Sequence, residues 1–81
     1  MPMTVAVRLF ARARELAGAD VVELAARDTV AGVREELAVR YPQAAALIAC
    51  SAIAVNGEYA ADGHPVGPDD EIALIPPVSG G

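Results

Sequence analysis

Val5, Val7 and Leu9 alternate with Ala6, Arg8 and Phe10, a period of two that predicts a strand with one apolar face. The next stretch, "ARARELAG", predicts a short helix closed by Gly18, the residue type best suited to the left-handed turn that ends a helix. Val21-Val22-Glu23-Leu24 predicts a second strand, close enough to return antiparallel to the first. Asp28 or Thr29 is placed to cap a helix running to about Tyr41. Val30, Val33, Leu37 and Tyr41 recur at helical spacing and make its buried stripe, which leaves Arg34, Glu35 and Arg40 to water. Glu36 and Arg40 stand one turn apart in the favourable order. Pro42 stops this helix and starts a short second one through "QAAALI".

Ala52 to Val55 is a strand entering a tight turn, because Asn56-Gly57 tolerates the positive φ of hairpin turns. "ADGHPVGPDD" is loop, and Glu71 to Ile75 is the final strand, stopped by Pro76-Pro77. Strand, strand, helix, strand, a short strand and strand give an α+β chain: the β-grasp plan, a mixed sheet packed on one main helix. The division expected is a β-grasp domain over 1–75 and a flexible diglycine tail over 76–81.

A sheet covered by one helix layer has a second face. If Val5, Val7, Leu9, Ile72 and Leu74 meet the helix, alternation sends Ala6, Arg8, Phe10, Ala73 and Ile75 outward. Scattered surface hydrophobes are ordinary, whereas a contiguous apolar patch marks an interaction site. Phe10 and Ile75 across a run of alanines fit the second description once the tail, which follows Ile75 directly, is counted with them.

Composition narrows the chemistry. The formal net charge is −5, with six arginines, no lysine and only Phe10, Tyr41 and Tyr59 as aromatics. Nucleic-acid binding, which uses a basic face and stacking platforms, is therefore not expected. Without a lysine the chain cannot form isopeptide bonds to itself. No apolar run reaches membrane-spanning length, and no signal pattern opens the chain, so the cytoplasm is the expected location. One cysteine, Cys50, excludes an internal disulfide and reads as a buried small hydrophobe. His64 reads as a surface-loop residue, and one Cys with one His supplies no metal-ligand spacing. Asp69-Asp70-Glu71 reads as a solvated corner, and no phosphate-cradling glycine loop occurs. An autonomous active site is not expected.

What remains is "IPPVSGG". Pro76 and Pro77 lack amide hydrogens and fix φ, so they end the sheet and hold the exit extended. Six residues from Pro76 to Gly81 reach roughly 20 Å at full extension. Gly80 and Gly81 have no Cβ and can enter a channel too narrow for other residues. A stiff spacer followed by diglycine at the chain end is expected to be a working element.

"LFARARELAG" after the first strand, "AVNGE" in the middle and "DDEIALIPPVSGG" at the end resemble the small subunits of molybdopterin synthase over nearly the full length. Sulfur carriers of thiazole synthesis and ubiquitin-like modifiers share the fold and the diglycine end; the diproline and the "FARARELAG" element favour molybdopterin synthase among them. The resemblance implies a sulfur carrier that binds no cofactor of its own. An E1-like activating enzyme uses ATP to adenylate the carboxylate of Gly81, and a sulfur donor system converts it to a thiocarboxylate. The tail, Pro76, Pro77, Val78, Ser79, Gly80 and Gly81, then inserts into the large synthase subunit, with Phe10 and Ile75 in the docking surface. There the sulfur passes to cyclic pyranopterin monophosphate, and two such transfers make the dithiolene of molybdopterin. The family implies a heterotetramer of two small and two large subunits, with the catalytic side chains on the partners. An aromatic often precedes the diproline in this family; Ile75 departs from that and keeps the contact apolar. Three other readings stand beside this one: a modifier conjugated through Gly81 to lysines of other proteins, a sulfur carrier of the thiamine-thiazole type, and a docking module whose tail is incidental.

Overall fold

The computed structural model describes residues 4–25 and 28–77. In chain order its elements are β1 (Thr4–Leu9), α1 (Ala11–Ala17), β2 (Val21–Ala25), α2 (Val30–Arg40), a 3-10 turn (Pro42–Ala44), α3 (Ala45–Cys50), β3 (Ala52–Val55), β4 (Glu58–Tyr59) and β5 (Ile72–Ile75). The strands form one mixed sheet in the order β2-β1-β5-β3-β4. β1 pairs antiparallel with β2 and parallel with β5, through Val7↔Ile72, Arg8↔Ala73 and Leu9↔Leu74. The first and last strands thus lie side by side in the middle of the sheet, the β-grasp arrangement expected from the sequence.

Alternation decides which side of the sheet is core. Val5, Val7 and Leu9 of β1, Val22 and Leu24 of β2, Ile53 of β3, and Ile72 and Leu74 of β5 are buried. They meet Val30, Val33 and Leu37 of α2 and Ile48 of α3, which recur at helical spacing. Each such side chain contributes about 1.5–3 kcal/mol by leaving water, so this single layer supplies most of what opposes chain entropy. Gly18 closes α1 at φ 74, and Thr29 caps α2 by accepting from the Gly32 amide. Both assignments agree with the sequence reading.

The start of α2 is also fixed from outside. Val30 and Ala31 donate their amides to the carbonyls of His64 and Asp62, at 3.0 and 2.9 Å. The amide of Val66 donates in turn to the Asp28 carbonyl at 2.9 Å. The glycine- and proline-rich loop thereby satisfies donors that any helix start leaves open.

Arg34 and Cys50 depart from the sequence reading. Arg34 was expected in water, yet its guanidinium donates to the carbonyls of Ile48 and Ser51 at 2.6 and 2.7 Å, and its side chain is only 21% exposed. It caps the C-terminus of α3, where a cation is favoured. Hydrophobic spacing could not reveal this, because the acceptors are backbone atoms of another helix. Cys50 was expected inside and is exposed. In α3 the inward positions go to Ile48 and, just past its end, Ser51. Cys50 lies two residues beyond Ile48, on the opposite side of the helix.

Arg34 also pairs with Asp62 at 3.2 Å, but the Asp62 side chain is 63% exposed, and such pairs contribute little. The carbonyl contacts should therefore dominate. Arg34→Met is expected to lower unfolding free energy by about 2–3 kcal/mol in a denaturant titration, and Asp62→Ala by less than about 1 kcal/mol.

Candidate functional site

The sheet face turned away from the helices is open. From edge to edge one row of it reads Val21, Arg8, Ala73, Ala54 and Tyr59, each opposite the next across the sheet. β5 and β3 offer alanine here, and β1 offers Ala6 two residues before Arg8, so the floor is low, while larger side chains stand at the margins. The result is a shallow open concavity of about 630 Å³, with Ala6, Ala54 and Ala73 as floor and Phe10, Val21, Tyr59 and Ile75 around it. Phe10, Val21 and Tyr59 are 43, 47 and 75% exposed. A monomer seldom leaves this much aromatic and aliphatic surface together in water without use for it.

Phe10 and Ile75 lie where sequence predicted, beside each other at the end where β1 and β5 both terminate. Phe10 occupies the cap position of α1, and Ala11 after it takes φ 52, a left-handed conformation that an L-residue adopts at a cost. That abrupt bend keeps Phe10 on the open face as the chain turns into α1. Ile75 is half-buried, Pro76 is buried and Pro77 is exposed. The diproline is therefore divided: its first ring belongs to the domain and its second to the surface. Val78, Ser79, Gly80 and Gly81 lie outside the described residues.

Val21 and Tyr59 were missing from the sequence-level site. Val21 was legible, since burial of Val22 and Leu24 forces it outward. Tyr59 required the register of the hairpin. Asn56 and Gly57 take φ 52 and 85, and this two-residue turn pairs Val55 with Glu58 and Ala54 with Tyr59.

The acidic end of the concavity is structured. Asp70 accepts from the Gly67 amide at 2.7 Å and from Asn56 Nδ2 at 2.9 Å. The Asn56 side-chain oxygen accepts from the Glu71 amide at 2.9 Å, and the Asn56 amide donates to the Glu71 carbonyl at 2.7 Å. One clasp thus ties the β3–β4 turn to the approach of β5, where sequence reading had only a solvated corner. His64 is exposed in the neighbouring loop, as expected, and its carbonyl holds the Val30 amide. Among the described residues no helix is long and apolar enough to cross a membrane.

A central parallel pair of first and last strands, one wrapped main helix and an open small-residue face define a ubiquitin-like β-grasp protein. The chain belongs to the ThiS family, whose sequence model matches residues 7–81. It is 39% identical to the molybdopterin synthase sulfur carrier subunit of Arabidopsis thaliana, over 93% of this chain and 80% of that protein. The crystal structure of Haloferax volcanii small archaeal modifier protein 1 superimposes with a TM-score of 0.82 at 30% identity, covering 94% of this chain and 99% of that one. Similarity extends to the complex of subunits 1 and 2 of molybdopterin-converting factor from Helicobacter pylori. There the TM-score is 0.63 at 28% identity, over 98% of this chain and 100% of that one.

The Asp70 carboxyl is held below its ordinary pKa, first by the Asn56 side-chain hydrogen bond and then by the Gly67 amide. A depressed folded-state pKa stabilises the protein above the unfolded aspartate value, and that stability is lost as pH falls through the depressed value. Acid unfolding curves should accordingly show a smaller loss of stability for Asp70→Asn than for the unsubstituted chain across and below the usual aspartate range, about 3.9.

Proposed function

We propose that this chain is the sulfur-carrier subunit of a molybdopterin synthase and that its chemistry resides on Gly81. The observation that carries the reading is the parallel β1–β5 pair, which delivers Ile75, Pro76 and Pro77 beside Phe10 at the rim of an exposed docking face. Membership of the ThiS family, and relatives that are named sulfur carrier subunits, supports it. The domain, with Pro76 buried in it, is the part a partner grips, and 77–81 is the arm it places, one residue shorter than the tail over 76–81 expected from sequence.

A free carboxylate is ionised at neutral pH and is a poor electrophile. In the proposed sequence an E1-like enzyme joins the Gly81 carboxylate to the α-phosphorus of ATP and releases pyrophosphate. A sulfur donor then displaces AMP at the carbonyl carbon, leaving a thiocarboxylate. Held in the large subunit, that sulfur bonds to a side-chain carbon of cyclic pyranopterin monophosphate as a carbon–oxygen bond there breaks, and water then frees the acyl group, restoring the Gly81 carboxylate. A second loaded chain repeats the exchange to complete the dithiolene. Binding supplies positioning, which makes the attack effectively unimolecular. Phe10 and Ile75 hold the large subunit, Pro77 starts the arm, and Val78, Ser79, Gly80 and Gly81 thread into its active site. All of this is assigned to the cytoplasm. Reconstitution tests it: thiocarboxylated chain, large subunit and pterin precursor should yield the dithiolene, and no product would overturn the reading.

A second reading follows from the structural neighbour named a small archaeal modifier protein: conjugation of Gly81 to amines of other proteins. Conjugates of raised mass that vanish on deletion of Gly81 would support it.

In cells with an active sulfur-loading pathway, intact-mass analysis should find the gain of one oxygen-to-sulfur exchange, localised to Gly81. Gly80→Ala should leave the unfolding midpoint nearly unchanged while slowing sulfur transfer, by about 10²-fold if the added methyl displaces the reacting group by an ångström. Phe10→Asp or Ile75→Asp should weaken large-subunit binding, measured by calorimetry, far more than it shifts the unfolding midpoint.

A further inference from the structure

Arg8 is the one cation among the described residues that line the open face. Arg8 leaves the middle of β1 on the outward side, directly opposite Val21 of β2 and Ala73 of β5. It lines the concavity together with Ala6, Phe10 and Ile75. Among the described residues no ion pair or hydrogen bond holds its guanidinium. Glu23 and Glu71 are its diagonal neighbours on the flanking strands, and neither is within ion-pair distance. The Glu71 backbone is instead tied to Asn56 on both sides.

This matters once the face is covered. A purely apolar surface laid over Phe10, Val21 and Ile75 would strip water from Arg8, and an unpaired ion removed from water costs more than contacts with alanine return. The face can be buried favourably only if the incoming surface brings an acceptor to that point. A guanidinium is a planar fork matched to a carboxylate, and it pairs well in a desolvated setting. Elsewhere the chain is acidic, with a net charge of −5, and Asp70 and Glu71 line the other end of the concavity. A carboxylate on the partner is therefore attracted at Arg8 and repelled near Asp70 and Glu71. Attraction at one point with repulsion around it fixes register.

We propose that Arg8 is the specificity-determining residue of the docking face, and that the large subunit covers it with a carboxylate set in an apolar surface. The inference rests on the reading that this face binds the large subunit.

Calorimetry of the full chain against the large subunit tests both levels. Arg8→Met keeps the aliphatic stem and removes the charge. It should weaken binding about 30-fold or more, while its thermal unfolding shows the fold retained. Arg8→Lys should recover part of that loss. The association rate of the unsubstituted chain should fall with added salt more steeply than that of Arg8→Met. Arg8→Met binding as tightly as the unsubstituted chain, or more tightly, with Phe10→Asp still weakened, overturns the role of Arg8 and leaves the docking face standing. Unchanged binding by Phe10→Asp overturns the docking face itself, and the Arg8 proposal with it.

Discussion

The parallel pairing of β1 with β5 is the constraint on which the rest of the molecule depends. Parallel neighbours need a long crossover, and here everything between Phe10 and Glu71 is that crossover. The intervening chain adds β2 to one edge and β3–β4 to the other, and it lays α2 and α3 over the core face. Because the central strands run the same way, they finish at the same end of the sheet. Phe10 and Ile75 meet there with no contact designed specifically to join them. Slipping this pair by one residue would turn Val7 and Leu9 to solvent, so the apolar core enforces the position of the exit.

The two faces of the sheet differ in residue size as much as in polarity. Valine, leucine and isoleucine on the inner side fill the space beneath the helices. Alanines on the outer side leave space unfilled, and that emptiness is the concavity. Two polar devices hold the frame around it. Arg34 joins the end of α3 to the middle of α2 through backbone carbonyls. The Asn56–Asp70 contact joins the hairpin to β5. Both act on main chain or loop groups, where apolar packing has no grip.

Most of this architecture was legible in the sequence because it follows from periodicity. Alternation in β1 and β5 assigned both faces, helical spacing found α2, and Gly18, Thr29 and Asn56-Gly57 marked the ends and turns. The open face was legible where it depended on alternation, at Phe10 and Ile75. What stayed hidden depended on geometry between elements. Arg34 is a polar residue on an amphipathic helix by any local reading, and only the placement of α3 makes it a cap. Cys50 sits in an apolar run too short for its phase to be read without a boundary. Tyr59 joins the site through a hairpin register, and the clasp at Asp70 joins residues far apart in sequence.

The division of the diproline carries a consequence of its own. With Pro76 seated in the domain, the five residues from Pro77 to Gly81 would span roughly 17 Å at full extension. The domain then works as a distance gauge. Under the proposed function, whatever reacts at Gly81 would lie within that radius of the Phe10–Ile75 rim, and a partner gripping the sheet face would have its reaction centre fixed to a narrow zone. Lengthening the arm by even a few residues would loosen that specification without touching a single contact on the docking face.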